Sequence, residues 1–137
     1  MIYRILNERD ISSITNLKCE CSAGNSKIYN LITILQDIGV PYDKSVVAIG
    51  AFTDESFSTL VGLAYGYILP KHTLLIQYVY VEPEYRHKQV GKTLVSTLEQ
   101  CSNCSVSQVF YAANLTPFYS GLNYIDGNVK VAIKFIN

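Results

Sequence analysis

The sequence predicts an α+β domain, a mixed, mostly antiparallel twisted sheet flanked by helices in the order β-α-α-β-β-β-α-β-α-β. Three observations carry this. Apolar residues recur at helical spacing between Asn7 and Ile38. Three β-rich runs then follow one another from Val46 to Val81, parted by turns short enough for antiparallel hairpins. The third run leads through a helical pattern into a further apolar run, and such a strand–helix–strand crossover pairs its two strands in parallel.

Each element has its own signal. Ile2 to Leu6 reads as a short strand. Asn7 can cap a helix, with Asp10 three residues on, and Ile11, Ile14, Leu17 and Cys21 then fall on one face. Ala23-Gly24-Asn25-Ser26 breaks that helix. Ile28, Leu31, Ile32, Leu35 and Ile38 define a second one, which Gly39 and Pro41 stop. Strands are expected over Val46 to Phe52, Thr59 to Leu69 and Thr73 to Val81, with turns at Thr53-Asp54-Glu55-Ser56 and Pro70-Lys71-His72. A helix starts at about Val90, with Val90, Leu94, Val95 and Leu98 on one face, and a buried strand follows from Val106 to Ala112. Thr116 and Pro117 suit a helix start, a capping hydroxyl followed by proline at the first helical position. After a turn at Asp126-Gly127, a last strand alternates Val129, Val131, Ile133 and Phe135 with Lys130 and Lys134.

Composition limits the function. A chain of 137 residues fits one domain, 1–137. Its 11 basic and 11 acidic side chains cancel, without the basic surplus that nucleic-acid binding needs, so no nucleic-acid partner is expected. No apolar run approaches the ~20 residues of a membrane span, and MIYRILNERD lacks the apolar core of an export signal, so the expected compartment is the cytoplasm. The cysteines form two close pairs, Cys19/Cys21 and Cys101/Cys104. They read either as a four-thiolate zinc site, if the pairs meet, or as reduced and mostly buried helix residues; the second is preferred and no metal is assigned.

The informative stretch is VYVEPEYRHKQVGKTL. A strand ends at Val81, Pro83 stops pairing, and a loop with Arg86 runs into a helix whose first N–H groups have no intrahelical acceptor. The helix dipole and the charges of Arg86, Lys88 and Lys92 make that start suited to a phosphate or pyrophosphate; the plainer reading is a solvated connection. Gly91 would let backbone and ligand approach closely.

This stretch resembles the signature of the GNAT superfamily of acetyl-CoA-dependent N-acetyltransferases, a phosphate loop written Q/R-x-x-G-x-G/A after a strand ending in V-x-P-x-x-R. Arg86 matches the Q/R position, Gly91 the last glycine, and Val81, Pro83 and Tyr85-Arg86 the approach. Gln89 stands where the family usually has its first glycine; a positive φ there would cost glutamine ~1 kcal/mol. The order of elements resembles that of the acyl-CoA N-acyltransferase fold.

The resemblance implies a co-substrate, acetyl-CoA, held by Arg86, His87, Lys88, Gln89, Val90, Gly91, Lys92 and Thr93 at its pyrophosphate. Its pantetheine arm would lie where the strands Thr73–Val81 and Val106–Ala112 splay apart, paired with backbone groups of Val79 and Val81. A backbone N–H near Tyr80 would polarise the thioester carbonyl. ANLTPFYSGLNY resembles a later family segment and places Tyr119 as the general acid, an ordinary phenol being protonated at neutral pH; its ring could equally just pack under the helix. Asn114 could bond the pantetheine or cap the turn. The acceptor implied is a primary amine of a small molecule or peptide, and the alternative is a non-catalytic acyl-CoA-binding module of the same fold. The general base stays unassigned. TLLIQYVYV has no carboxylate, Glu82 and Glu84 read as solvated, His72 as a turn residue, and water relayed through carbonyls is the default. Tyr65, Tyr67, Tyr78 and Tyr80 could line the acceptor pocket or simply dress a half-exposed sheet. The final strand could serve a homodimer.

Overall fold

The first corner of the chain is built by three polar side chains. Strand β1 (Ile2–Ile5) runs into a 3-10 turn at Glu8–Asp10 and helix α1 (Ile11–Thr15). Asn7 Oδ1 accepts from Arg9 N–H at 2.9 Å, and Asp10 Oδ2 accepts from Asn7 N–H at 2.9 Å, a reciprocal capping box. Arg4 closes the corner with two bonds to Asp10, at 2.7 and 2.9 Å. Burial alone would push the Asp10 carboxyl up, but the bonds from Arg4 and Asn7 outweigh it and hold the group below its ordinary range. The expected cap is therefore present, though α1 is shorter than the apolar spacing predicts.

The computed structural model describes residues 1–18, 26–36, 45–54 and 59–127, together with 132, 134 and 136. The Cys19/Cys21 pair, the helix break at 23–25, the stop at Gly39 and Pro41, the turn residues Glu55 and Ser56 and the last strand lie outside the described residues.

Helix α2 (Ser26–Gln36) buries Ile28, Leu31 and Leu35. Strands β2 (Val46–Phe52), β3 (Leu60–Leu69), β4 (Thr73–Val81) and β5 (Val106–Val109) join β1 in a sheet of order β1-β2-β3-β4-β5. The first four strands are antiparallel and β4–β5 is parallel. Helix α3 (Val90–Ser102) makes the crossover, and α4 (Thr116–Ser120) follows β5. Thr116 is itself the first residue of α4, and its hydroxyl donates back to the Ala113 carbonyl at 2.8 Å instead of capping the helix.

The two faces of the sheet carry separate cores. Ile14, Leu17, Ile28, Leu31 and Leu35 pack on one face, and Val90, Leu94, Val95 and Leu98 on the other. Leu94 and Leu98 are fully buried, worth roughly 1.5–3 kcal/mol each.

Strand β4 changes faces midway. Tyr65 pairs with Tyr78 and Gly66 with Ile76, so Gln77 is an extra residue, a β-bulge. Before it, Leu74 and Ile76 face α3; after it, Tyr78 and Tyr80 face α1 and α2 while Val79 and Val81 face α3. Gly66 opposite the bulge is required by space, since a Cβ there would lie 2.7 Å from the Leu75 carbonyl oxygen. The bulge also explains why β5 is shorter than expected. Its last pair is Ile76–Val109, and beyond that register β4 has turned away, so 110–112 form no strand.

Candidate functional site

Past Ile76 no described residue pairs with the β5-facing edge of β4, which is open among the described residues. Glu82 N–H donates to the Val61 carbonyl across the β3 side at 2.8 Å. Strand alternation then turns the N–H groups of Tyr80 and Tyr78 toward β3 as well, and leaves the backbone groups of Val79 and Val81 on the open edge. The open-edge donors are thus at Val79 and Val81, flanking the expected position near Tyr80. Arg86 Nε donates to the Val81 carbonyl at 2.8 Å, and its guanidinium lies 5.7 Å from the Tyr80 ring centre. One acceptor on that edge is therefore engaged from the loop side.

The loop from Arg86 to Gln89 is exposed and strained. His87 has φ 62° and Gln89 φ 69°, both in the left-handed region. Gln89 thus takes the glycine-like backbone its position demands, at ~1 kcal/mol. It is also the residue before α3, and no side chain caps that helix. The first bond of the helix runs from Thr93 N–H to the Gln89 carbonyl, 3.0 Å, reinforced by the Thr93 hydroxyl at 2.9 Å. The N–H groups of Val90, Gly91 and Lys92 precede it and have no helical acceptor. A left-handed residue followed by a helical one turns such N–H groups into a concave anion-binding nest, and Lys88 stands nearby, its Nζ 5.8 Å from the Tyr85 ring.

Two residues of this stretch also make contacts that the sequence did not suggest. Gly91 sits inside the helix, and a Cβ on it would lie 3.1 Å from the Phe118 ring, so its small size serves the α3–α4 contact. Lys92 reaches α4 too, its Nζ close to Gly121.

Tyr119 is 5% exposed, its ring centre 4.9 Å from Tyr111, 4.9 Å from Phe118 and 5.6 Å from Tyr124. Burial first, and Tyr111 second, raise its phenol above the ordinary value, which keeps it protonated. The neighbours are held in turn: Tyr124 Oη donates to Glu99 at 2.9 Å and shares a bond with the Ser107 hydroxyl, and Tyr111 Oη donates to Asp126 at 2.6 Å. Asn114 is exposed and caps neither the 3-10 turn at Ala113–Leu115 nor α4, which removes its capping role.

Glu82 contradicts its solvated reading. It is 7% exposed, and its Oε1 accepts the Lys18 backbone N–H at 2.6 Å across 64 positions of sequence. Its Oε2 has no partner among the described residues. Glu84 is exposed as expected and pairs with Lys18 Nζ at 3.1 Å. His72 is the expected turn residue, with φ 56° and a carbonyl that accepts from Ser105 and Val106. Tyr65 belongs to the core, not to a half-exposed surface. Tyr78 and Tyr80 stack parallel at 6.3 Å on the α1–α2 face. A cavity of about 410 Å³ opens beside Ser13, Asn16, Thr59 and Glu82, and none of the expected co-substrate residues lines it.

Among the described residues no cluster of acidic, histidine or cysteine side chains could hold a metal, and no helix is long and apolar enough to cross a membrane. Cys101 is exposed and Cys104 half-buried, so burial does not account for this pair.

The sequence alone missed the bulge at Gln77 and the burial of Glu82. The first had a signal. The glycine at 66 pairs with Ile76, next to the polar Gln77 that interrupts the apolar run of β4, although nothing local marks the pairing. The second had none, since its partner lies far away in the chain.

Comparison with known proteins bears on this arrangement. Residues 11–116 match the family model described as the acetyltransferase (GNAT) family. No curated protein matches the chain. Among solved structures it is similar to a ribosomal-protein-alanine N-acetyltransferase from Brucella melitensis biovar Abortus 2308, with TM-score 0.74 and 20% identity over 98% of this chain and 100% of that one. A possible acetyltransferase from Clostridium difficile 630 superposes with TM-score 0.75 at 15% identity, over 99% and 97% of the two chains. The aminoglycoside N-acetyltransferase AAC(6')-Iy in complex with CoA gives 0.75 at 14% identity, over 98% and 93%. At such identities these likenesses establish a shared fold.

Proposed function

The chain belongs to the acetyltransferase (GNAT) family, and on that premise we propose that it transfers an acetyl group from acetyl-CoA to a primary amine of a small molecule or peptide by direct attack. The observation that carries this is the uncapped start of α3, with left-handed Gln89 before it, beside the open edge of β4. Acetyl-CoA fits this site. The N–H groups of Val90, Gly91 and Lys92, with Arg86 and Lys88, suit a pyrophosphate, and the Val79 and Val81 backbone suits the pantetheine amides. The similarity to a CoA-bound N-acetyltransferase and to an N-acetyltransferase of a protein amine supports the same substrate classes.

The chain's own residues then divide the work. The loop and the strand edge position the thioester, and an open-edge N–H polarises its carbonyl. Tyr119, kept protonated by burial, holds a proton for the departing sulfur. The amine loses its proton to water relayed along backbone carbonyls, because β4 carries no carboxylate.

Calorimetry with acetyl-CoA and CoA, followed by thiol release over a panel of amines, tests the proposal. Tyr119→Phe is expected to lower kcat by about 100-fold or more while leaving acetyl-CoA affinity unchanged. No acetyl-CoA binding at high micromolar concentration overturns the reading. Binding without thiol release from any amine leaves a binding module.

A further inference from the structure

We propose that Lys27 is a positioning residue for acyl transfer, clamping the β4 bulge that turns the Val79 and Val81 backbone groups onto the open edge. The proposal rests on the reading of that edge as the seat of the thioester.

Lys27 is the second residue of α2, and it bonds both to the bulge and to a β3 residue beside it. Its Nζ donates to the Gln77 carbonyl at 2.7 Å across 50 positions of sequence. Its own carbonyl accepts from Tyr65 Oη at 2.7 Å. Tyr65 is the β3 residue paired with Tyr78, the first residue after the bulge. One residue of α2 thus engages both strands at the point where their register slips.

The Gln77 carbonyl needs such a partner. As the extra residue of a bulge, Gln77 has no opposite number on β3, and the ladder to β5 ends one residue earlier at Ile76. A backbone carbonyl outside both ladders must be satisfied from elsewhere, and an ammonium donor makes a stronger bond than a neutral one. Tyr65 is an equally dependable donor, because burial first, then Tyr67 and Tyr78, push its phenol up to about 12.

The bulge in turn decides what the cleft presents. With Gln77 paired regularly in the ladder instead of bulged, the alternation of β4 would run on unbroken from Leu74 and Ile76. Tyr78 and Tyr80 would then share the α3 face, and their backbone groups, not those of Val79 and Val81, would lie on the open edge. Lys27 acts on the acyl site only through this register.

The test compares the parent with Lys27→Met and Lys27→Arg in two ways. One is amide hydrogen exchange along β4, and the other is the infrared band of bound acetyl-CoA labelled with carbon-13 at its carbonyl. Lys27→Met is expected to speed exchange at Tyr78 by roughly 2- to 10-fold, the size of one exposed hydrogen bond, while Val47 to Ala51 of β2 keep their rates. The carbonyl band of bound acetyl-CoA should move back toward its free position, and Lys27→Arg should keep both parental signatures. Parental exchange at Tyr78 in the methionine variant overturns the clamp. So does a loss of protection shared equally by β2, which marks general destabilisation. Altered exchange with an unmoved carbonyl band overturns the link to acyl transfer. A parent that binds no acetyl-CoA overturns the acyl-transfer reading and the positioning role together, and the exchange arm separates that result from failure of the clamp.

Discussion

The molecule begins two helices in opposite ways. At the 3-10 turn that runs into α1, Asn7 and Asp10 satisfy N–H groups reciprocally, and Arg4 pairs with the carboxylate that does so. Ahead of α3, no side chain caps, the preceding residue is left-handed, and the N–H groups of the first turn have no helical acceptor. Every helix start poses the same problem of unpaired donors. The first solution bonds the Asn7 and Arg9 N–H groups within the corner itself. The second leaves backbone donors without a helical partner behind a left-handed, strained Gln89.

Breaking the closed corner should have the largest effect. Asp10→Ala removes the partner of Arg4 and the acceptor of Asn7 N–H together. The expected cost is roughly 2–4 kcal/mol, with Arg4 only partly buried, read by thermal or chemical unfolding. Acetyl-CoA affinity of the folded protein should not change. The pH dependence has a definite sign. The Asp10 carboxyl is held below its ordinary range in the folded state, so its contribution is whole above the unfolded value of about 3.9 and is lost as pH falls through the folded value. A stability difference between the parent and Asp10→Ala that does not shrink on acidification through that window would contradict this.

Gly91→Ala probes the packed side of the open start. Its Cβ would press on the Phe118 ring at 3.1 Å. Overpacking of about 1–3 kcal/mol, less about 1 kcal/mol of helix propensity, leaves a net loss of up to about 2 kcal/mol. Adding Phe118→Leu should restore most of it, and strict additivity in that double-mutant cycle would show that the contact does not set the cost. The smallest effect belongs to Gln89→Gly. Relief of the left-handed backbone, offset by greater freedom in the unfolded chain, should stabilise by about 0.5 kcal/mol. Acetyl-CoA should bind the variant at least as tightly as the parent; weaker binding would mean that the glutamine side chain itself contributes.

What could be read from the sequence follows the range of the interactions. The capping box was legible because Asn7 and Asp10 lie within one turn, and β2 and β4 have the boundaries their apolar runs suggest. The run from Val106 to Ala112 reads as one strand, yet its end depends on a bulge in another strand, so β5 stops at Val109. Gln89 was visible as a departure from glycine, but only coordinates show that the backbone keeps the glycine conformation despite it. Glu82 beside Pro83 looks like any loop carboxylate until Lys18 is brought to it. The glycine at 91 matched a motif, but its contact with Phe118, on a distant segment, was not legible there.

The Lys18–Glu82 bond joins the segment after α1 to the residue that opens the turn toward Arg86. Thermodynamic reciprocity applies to such a tie. A ligand whose binding shifts the turn must do work on Lys18, and a ligand that displaces Lys18 must do the same work, with the same sign, on the turn. The factor by which either ligand changes the affinity of the other is therefore the same measured from either end, and substituting Glu82 would change that factor.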